Sequence, residues 1–345
     1  MDRGRGRPVS GKERPSPLAY FFVKVYSIAA NTFLESVRQP VFAVIVASAV
    51  GLVVVSPYIT MFTLQQSPRL ITDMGLATVL LAGLLLGAFT ASNVISQEIE
   101  NRTVLTVISK PVGRAEFILG KYLGVMAGLV IGSYLLSLAL VLTVSSGALE
   151  ADIEQELSLW IAVSIFGSMF LAVCYGVYSN FFQDRPFPSR AIGAAIPLLT
   201  ICFLIFAHVD TRALKDHWGA FGKGINLQIV YASTILVWAI LVLAGIAVAV
   251  STRLTVVVNV ALCSGIFLLG LLSDYLFREL GKDVWLAKVF YLVIPNLQAF
   301  WVSDFLSANV RVPFSLVIIT GLYAMFLMGA SLFLAMLLFQ ERQVA

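Results

Sequence analysis

Residues 75–96, GLATVLLAGLLLGAFTASNVIS, and residues 122–145, YLGVMAGLVIGSYLLSLALVLTVS, carry no charged side chain. The 25 residues between them, QEIENRTVLTVISKPVGRAEFILGK, are charged and broken by Pro111. About 20 apolar residues suffice to cross the hydrocarbon of a bilayer as a helix. Two such runs around a charged island therefore predict a helical hairpin whose island, residues 97–121, sits at a water interface. Within it, Thr103–Ser109 reads as a short half-apolar helix that Lys110-Pro111 ends, because proline lacks an N–H and restricts the residue before it. Val104, Leu105, Val107 and Ile108 need a surface to bury against, which makes this segment the first candidate for contact with a partner.

The rest of the chain repeats the pattern. It is 59% hydrophobic and 12% charged, about half the charge of an ordinary soluble domain at roughly 25%. Apolar runs at 41–62, 75–96, 122–145, 159–179, 191–207, 229–250, 254–272 and 313–339 predict an all-α polytopic membrane protein with about eight transmembrane helices. With the N-terminus in the cytoplasm, 15 of the 23 Lys and Arg fall on the inside and eight on the outside. The acidic 146–158 loop suits the outer face. Both termini and the 97–121 island are thus expected to be cytoplasmic, in a multi-pass membrane protein.

Residues 1–16, rich in Gly, Arg, Pro and Ser, read as a disordered basic N-terminus, a positive flank for anionic headgroups rather than a nucleic-acid arm. Residues 17–39 show helical apolar spacing, with Lys24, Asn31, Glu35 and Arg38 on or near the polar side and Tyr20, Phe21, Phe22 and Tyr26 suited to headgroup level. They predict an amphipathic interfacial helix that Pro40 turns into the first span. Residues 40–345 form the transmembrane domain. Asp184-Arg185-Pro186-Phe187-Pro188 predicts a cytoplasmic turn. Residues 273–312 form a long extracytoplasmic loop with amphipathic helices, where Phe300, Trp301 and Phe305 are expected at the outer headgroup layer or capping an exit path.

No catalytic chemistry is legible. Gly120-Lys121 imitates the end of a phosphate-binding loop, but Ala115 and Tyr122 stand where glycine and Ser/Thr are required. His208 and His217, with Asp210 and Asp216, lack recognised metal spacing, and Cys174, Cys202 and Cys263 lie unpaired in apolar runs. No metal site or catalytic residue is expected. The apolar runs hold no ionisable Asp, Glu, Lys, Arg or His, whereas ion-coupled transporters place such groups inside the membrane. Ser92, Asn93, Ser96, Tyr175, Tyr178, Ser179 and Asn259 are the polar exceptions, lining a path or bonding between helices.

Glu98-x-Glu100-x-Arg102-Thr103, continued by Ser109-Lys110-Pro111-Val112-x-Arg114-x-x-Phe117-x-x-Gly120-Lys121, resembles the cytoplasmic motif of ABC-2 type permeases, the membrane subunits of bacterial ABC exporters. Thr32-x-x-Glu35-x-x-Arg38 resembles that family's N-terminal elbow helix, and Ser251-Thr252-Arg253 and Pro295-Asn296-Leu297-x-x-Phe300 are similar to later segments. The family is built on six spans, so the resemblance implies a six-helix core plus an extra hairpin at about 159–208. It also implies an exporter subunit with no cofactor of its own, paired with a separate ATP-binding subunit that holds ATP and Mg, normally as a permease dimer (homo or hetero). Thr32, Glu35 and Arg38, with the 97–118 coupling segment, would dock on that ATPase. Glu98, Glu100, Arg102, Thr103, Val104 and Leu105 would shape the segment, Lys110-Pro111 would end it, and Arg114 and Lys121 would fix its exit near lipid phosphates. The rival classes are a self-sufficient secondary transporter or channel and a membrane scaffold or assembly factor.

Overall fold

The computed structural model describes residues 17–60, 67–100, 113–147, 154–208, 222, 225–280, 285, 290–291, 294–308 and 310–340. Among them the regular structure is helical, with no strand. The helices are α1 (Pro17–Arg38), α2 (Pro40–Thr60), α3 (Ser67–Glu100), α4 (Arg114–Gly147), α5 (Glu154–Gln183), α6 (Phe187–Phe206), α7 (Leu227–Ser251), α8 (Val256–Leu271), α9 (Ser273–Leu280), α10 (Ser303–Ser307) and α11 (Phe314–Gln340), with a 3-10 turn at Gln298–Phe300. Seven of the described helices (α2 to α7 and α11) are long and apolar enough to cross a membrane, the architecture of a multi-pass membrane protein.

The eighth expected span, 254–272, forms the 16-residue α8, about 24 Å long and short of the roughly 30 Å hydrocarbon. α3 and α4 are longer than their apolar runs, at 34 residues each or about 51 Å. Pro68 sits in the first turn of α3, where a missing N–H costs nothing, and nothing else in 67–74 or 114–121 breaks a helix, so both helices run on through the charged flanks. The apolar runs are free of charge as expected, yet the long helices carry Arg69 and Asp73 at one end and Arg114, Glu116 and Lys121 at the other.

α3, α4 and α7 form the centre of the bundle, and α2, α5, α6, α8 and α11 surround it. In the apolar windows of α4 and α7, 72% of residues are buried, against 22% in α11. Leu86, Leu129, Leu135, Leu136 and Leu140 are wholly enclosed with Ile240 and Ala244. Small residues bring the axes together: a Cβ at Gly87 would lie 3.3 Å from that of Ala244. Such close approach replaces the hydrophobic drive that helices lose once both are dissolved in lipid. Asn259 completes the centre, donating to Ser92 Oγ (2.6 Å) and to the Ala247 carbonyl (3.1 Å), while Cys263 donates to its Oδ1 (3.4 Å). Of the two readings open for these polar residues, Ser92 and Asn259 follow the interhelical bond.

α5 and α6 form the predicted hairpin. Its turn is closed by Asp184 in the left-handed region (φ 49°) and by Asn180 Nδ2 donating to the Arg185 carbonyl (2.9 Å). Pro186 and Pro188 then start α6 at positions where a missing N–H costs nothing.

Contacts between helix ends sort the bundle into two faces. At one face Arg253 Nε donates to the Leu338 carbonyl (2.9 Å) and Phe117 stacks on Phe339 (5.8 Å between centroids). At the other, Asn226 N donates to Ser145 Oγ (3.3 Å), Val312 N to Gln228 Oε1 (2.6 Å), and Ser303 Oγ to Asp73. Residues 294–303 fold back over this second face. Leu297 N bonds the Gly270 carbonyl (3.1 Å), and Phe300 is 1% exposed and stacked 5.8 Å from Tyr323. The expectation that Phe300 lies in a headgroup belt is corrected: Pro295-Asn296 reverses the chain inward, and the ring fills the gap between α7 and α11. Phe305 is exposed.

Candidate functional site

The candidate site is the seam between α1 and the first half of α4. Four glycines, Gly120, Gly124, Gly128 and Gly132, recur every fourth residue and so line one face of α4. α1 lies in this groove. A Cβ at Gly120 would meet Ile28 Cβ at 2.6 Å, one at Gly124 would meet the Ala29 carbonyl oxygen at 2.6 Å, and one at Gly128 would meet Ser36 Cβ at 3.2 Å. Both chains advance together along the contact, so α1 and α4 are parallel. At Gly132 the neighbour is already Phe42 of α2, 3.1 Å from an added Cβ. α2 therefore begins beside the middle of α4. The first 18 residues of α4 (114–131), about 27 Å of helix, precede that level and are the part α1 accompanies.

The predicted site residues Thr32, Glu35 and Lys121 come together here. Thr32 faces Gly124 and is wholly buried, its hydroxyl without a hydrogen-bond partner among the described residues. Ser36 Oγ donates back to the Thr32 carbonyl (2.8 Å), which hides the hydroxyl that faces Gly128. Lys121 is 2% exposed, its Nζ 3.2 Å from Glu35 Oε2 and 5.9 Å from the centre of the Phe117 ring. An ammonium removed from water to this degree requires a counter-charge, and Glu35, itself about a third exposed, supplies it across the seam. The expectation that Lys121 meets lipid phosphates is thereby corrected: close packing on the glycine groove encloses it. Arg114 is exposed at the first position of α4, and Arg38 is exposed in the last turn of α1, where a cation suits the negative end of the helix dipole.

A second ion pair was not foreseen. Lys24 Nζ reaches Glu116 Oε2 at 3.4 Å, and the same oxygen accepts the Gly113 backbone N–H at 2.9 Å. Glu116 thus caps the start of α4, as an acid in the third helical position does, and ties that start to α1. The pairing positions Lys24 also 4.5 Å over the Tyr20 ring. The aromatic side of α1, with Tyr20, Phe22 and Tyr26, remains exposed.

The opposite side of the same α4 segment is held by α11. Tyr122 Oη donates to the Met328 carbonyl (2.9 Å) and lies 3.2 Å from Ser331 Oγ, and Phe117, Ile118, Ala249, Ala335 and Phe339 form a small apolar cluster. Residues 113–124 are thus clasped between α1 and α11. Asn93 Nδ2 adds a bond to Gln39 Oε1 (3.4 Å), joining α3 to the α1–α2 junction.

Glu98 and Glu100 lie in the last turn of α3, and nothing further is described of their side chains. Arg102, Thr103, Val104, Leu105, Lys110 and Pro111 lie outside the described residues, as do Asp210, Asp216 and His217. The described ends of the island nevertheless belong to two central helices, α3 and α4. Among the described residues no group of His, Cys, Asp and Glu is placed to hold a metal ion. Two ion pairs and a glycine seam join α1 to the start of α4. The glycine spacing was readable in the sequence, whereas the Glu116 and Tyr122 contacts carry no local signature. No protein-family model matches this chain, and a search of curated proteins finds no match.

Proposed function

We propose that this chain is the permease subunit of an ABC-2 type exporter, driven by a separate ATP-binding subunit. The observation that carries the reading is the α1–α4 seam. A partner pressing on residues 101–112 acts on the ends of α3 and α4 at once, and through Lys24–Glu116 and Glu35–Lys121 it moves α1 as well. Tyr122 passes the displacement to α11. In this reading α1 stands parallel to the start of α4 instead of lying along the leaflet as an interfacial helix would, and its exposed aromatic side is turned to the partner.

The basic ends of the described helices favour that face as the cytoplasmic one. Lys24, Arg38, Arg114, Lys121, Arg185, Arg190 and Arg253 lie toward it, and Arg69 and Arg311 toward the other. Both termini are then cytoplasmic, α8 is a short eighth span, and α5–α6 is a hairpin added to a six-helix core. The apolar interior of the bundle suits an amphipathic or hydrophobic cargo. The functional unit is two permease chains with two ATPase subunits in the cell inner membrane.

The test is purification of the tagged chain in mild detergent followed by an ATPase assay on the eluate. A co-purifying soluble subunit with ATP turnover supports the reading. A single band without turnover in several gentle detergents refutes it. Val104→Asp and Leu105→Asp should abolish partner binding and leave membrane insertion intact, and normal binding by both variants would overturn the coupling role of the segment.

A further inference from the structure

The α5–α6 hairpin carries a groove of about 500 Å³, within the roughly 300–1,000 Å³ range of small-molecule sites. Its lining is graded along α6. Ser189 and Arg190 come first, one turn inside the start of the helix, with Tyr175 of α5 beside them, and Gly193, Ala194, Pro197 and Leu198 follow deeper. Arg190 is half-buried and makes no hydrogen bond or ion pair to another described residue, and the Tyr175 hydroxyl is likewise without a described partner. Ser189 Oγ donates to the Pro186 carbonyl (3.1 Å), which leaves its lone pairs to accept.

Two turns beyond Arg190, Pro197 stands inside α6. Proline has no N–H to give, so the carbonyl of Gly193, four residues earlier, lacks its helical donor. Gly193 also leaves the groove open: a Cβ added there meets no atom within 4 Å. The order of groups is a cation at the helix start, hydroxyls beside it, an unpaired acceptor below, and an apolar floor. We propose that this groove binds an anionic glycerophospholipid of the surrounding bilayer, its phosphate on Arg190, a headgroup or glycerol hydroxyl on the Gly193 carbonyl, and an acyl chain along Ala194 and Leu198. Charge complementarity selects this occupant, since a zwitterionic lipid brings its own cation to the same place, and basic sites between spans suit anionic headgroups. The inference needs only that the hairpin sits in a membrane and is independent of the transport reading.

The test uses the full chain in phosphatidylcholine nanodiscs containing phosphatidylglycerol with a photoreactive acyl chain. After irradiation, peptides are mapped by mass spectrometry. Label is expected on residues 170–200 of α5 and α6, and Arg190→Ala should lower it about fivefold, the effect of one basic residue at an anionic surface. Arg190→Lys should retain most of it. Gly193→Leu, which keeps the charge but fills the groove, should also lose it, and it serves as the decisive variant if Arg190→Ala fails to insert. Equal labelling by photoreactive phosphatidylcholine, or no loss in Arg190→Ala and Gly193→Leu, overturns the proposal. Competition by millimolar inorganic phosphate also overturns it, since the site would then take a free anion.

Discussion

Gly124→Ala is the sharpest perturbation of the α1–α4 seam. The added methyl carbon would lie 2.6 Å from the Ala29 carbonyl oxygen and 2.7 Å from Thr32 Cγ2. Ordinary van der Waals contact for a Cβ begins at 3.4 Å, so α1 must retreat by about 0.8 Å at this point. The obstacle is backbone, which cannot rotate away as a side chain would. A retreat loosens the Gly120 and Gly128 contacts on either side and lengthens both ion pairs, Lys24–Glu116 from 3.4 Å and Lys121–Glu35 from 3.2 Å. Overpacking of this kind costs about 1–3 kcal/mol. Replacing glycine by alanine in a helix returns up to about 1 kcal/mol of propensity, which blurs a single measurement. Gly167→Ala removes that ambiguity: it makes the same change in the long helix α5, where an added Cβ meets nothing within 4 Å. The thermal midpoint of each variant is read in one detergent by fluorescence-detected gel filtration. Gly124→Ala should melt several degrees below Gly167→Ala. Equal midpoints would refute the close seam and the mechanical coupling built on it.

The ion pair is asymmetric. Glu35→Gln strands the enclosed Lys121 ammonium and should cost about 1–3 kcal/mol, less than a fully buried pair because Glu35 is 36% exposed, whereas Lys121→Met should cost less than about 1 kcal/mol. A reversed order of midpoints would contradict the burial of Lys121. Tyr122→Phe removes the bond to the Met328 carbonyl and should cost about 1 kcal/mol, while Ser331 keeps its own bond to that carbonyl. Asn259→Ala leaves Ser92 Oγ and the Ala247 carbonyl without their donor, and about 1–2 kcal/mol lost in the same melting assay is expected.

Much of the helix pattern was legible because each span is decided locally. Pro40 and Pro186 were visible as breaks, and the bounds of helix α1 and the α5–α6 turn fall where their residues place them. Boundaries were legible only where a breaker stands. α3 and α4 extend through Arg69, Asp73, Glu116 and Lys121 because charge at a span end does not interrupt backbone hydrogen bonding. Lys121 shows the limit most clearly. Its sequence neighbourhood suggests a cation reaching for headgroups, but its surroundings are set by Glu35, 86 residues earlier.

From sequence alone, then, follow the all-helical membrane class, the succession of apolar runs and the position of the charged island. Transfer from water to lipid adds residue by residue along a single helix and needs no knowledge of its neighbours. The tertiary structure decided which faces meet: α1 in the glycine groove of α4, Lys121 against Glu35, Phe300 folded inward against Tyr323. Between helices already dissolved in lipid, hydrophobicity no longer discriminates. Association there depends on how closely two backbones approach and on which polar groups find each other, and both are properties of the pair.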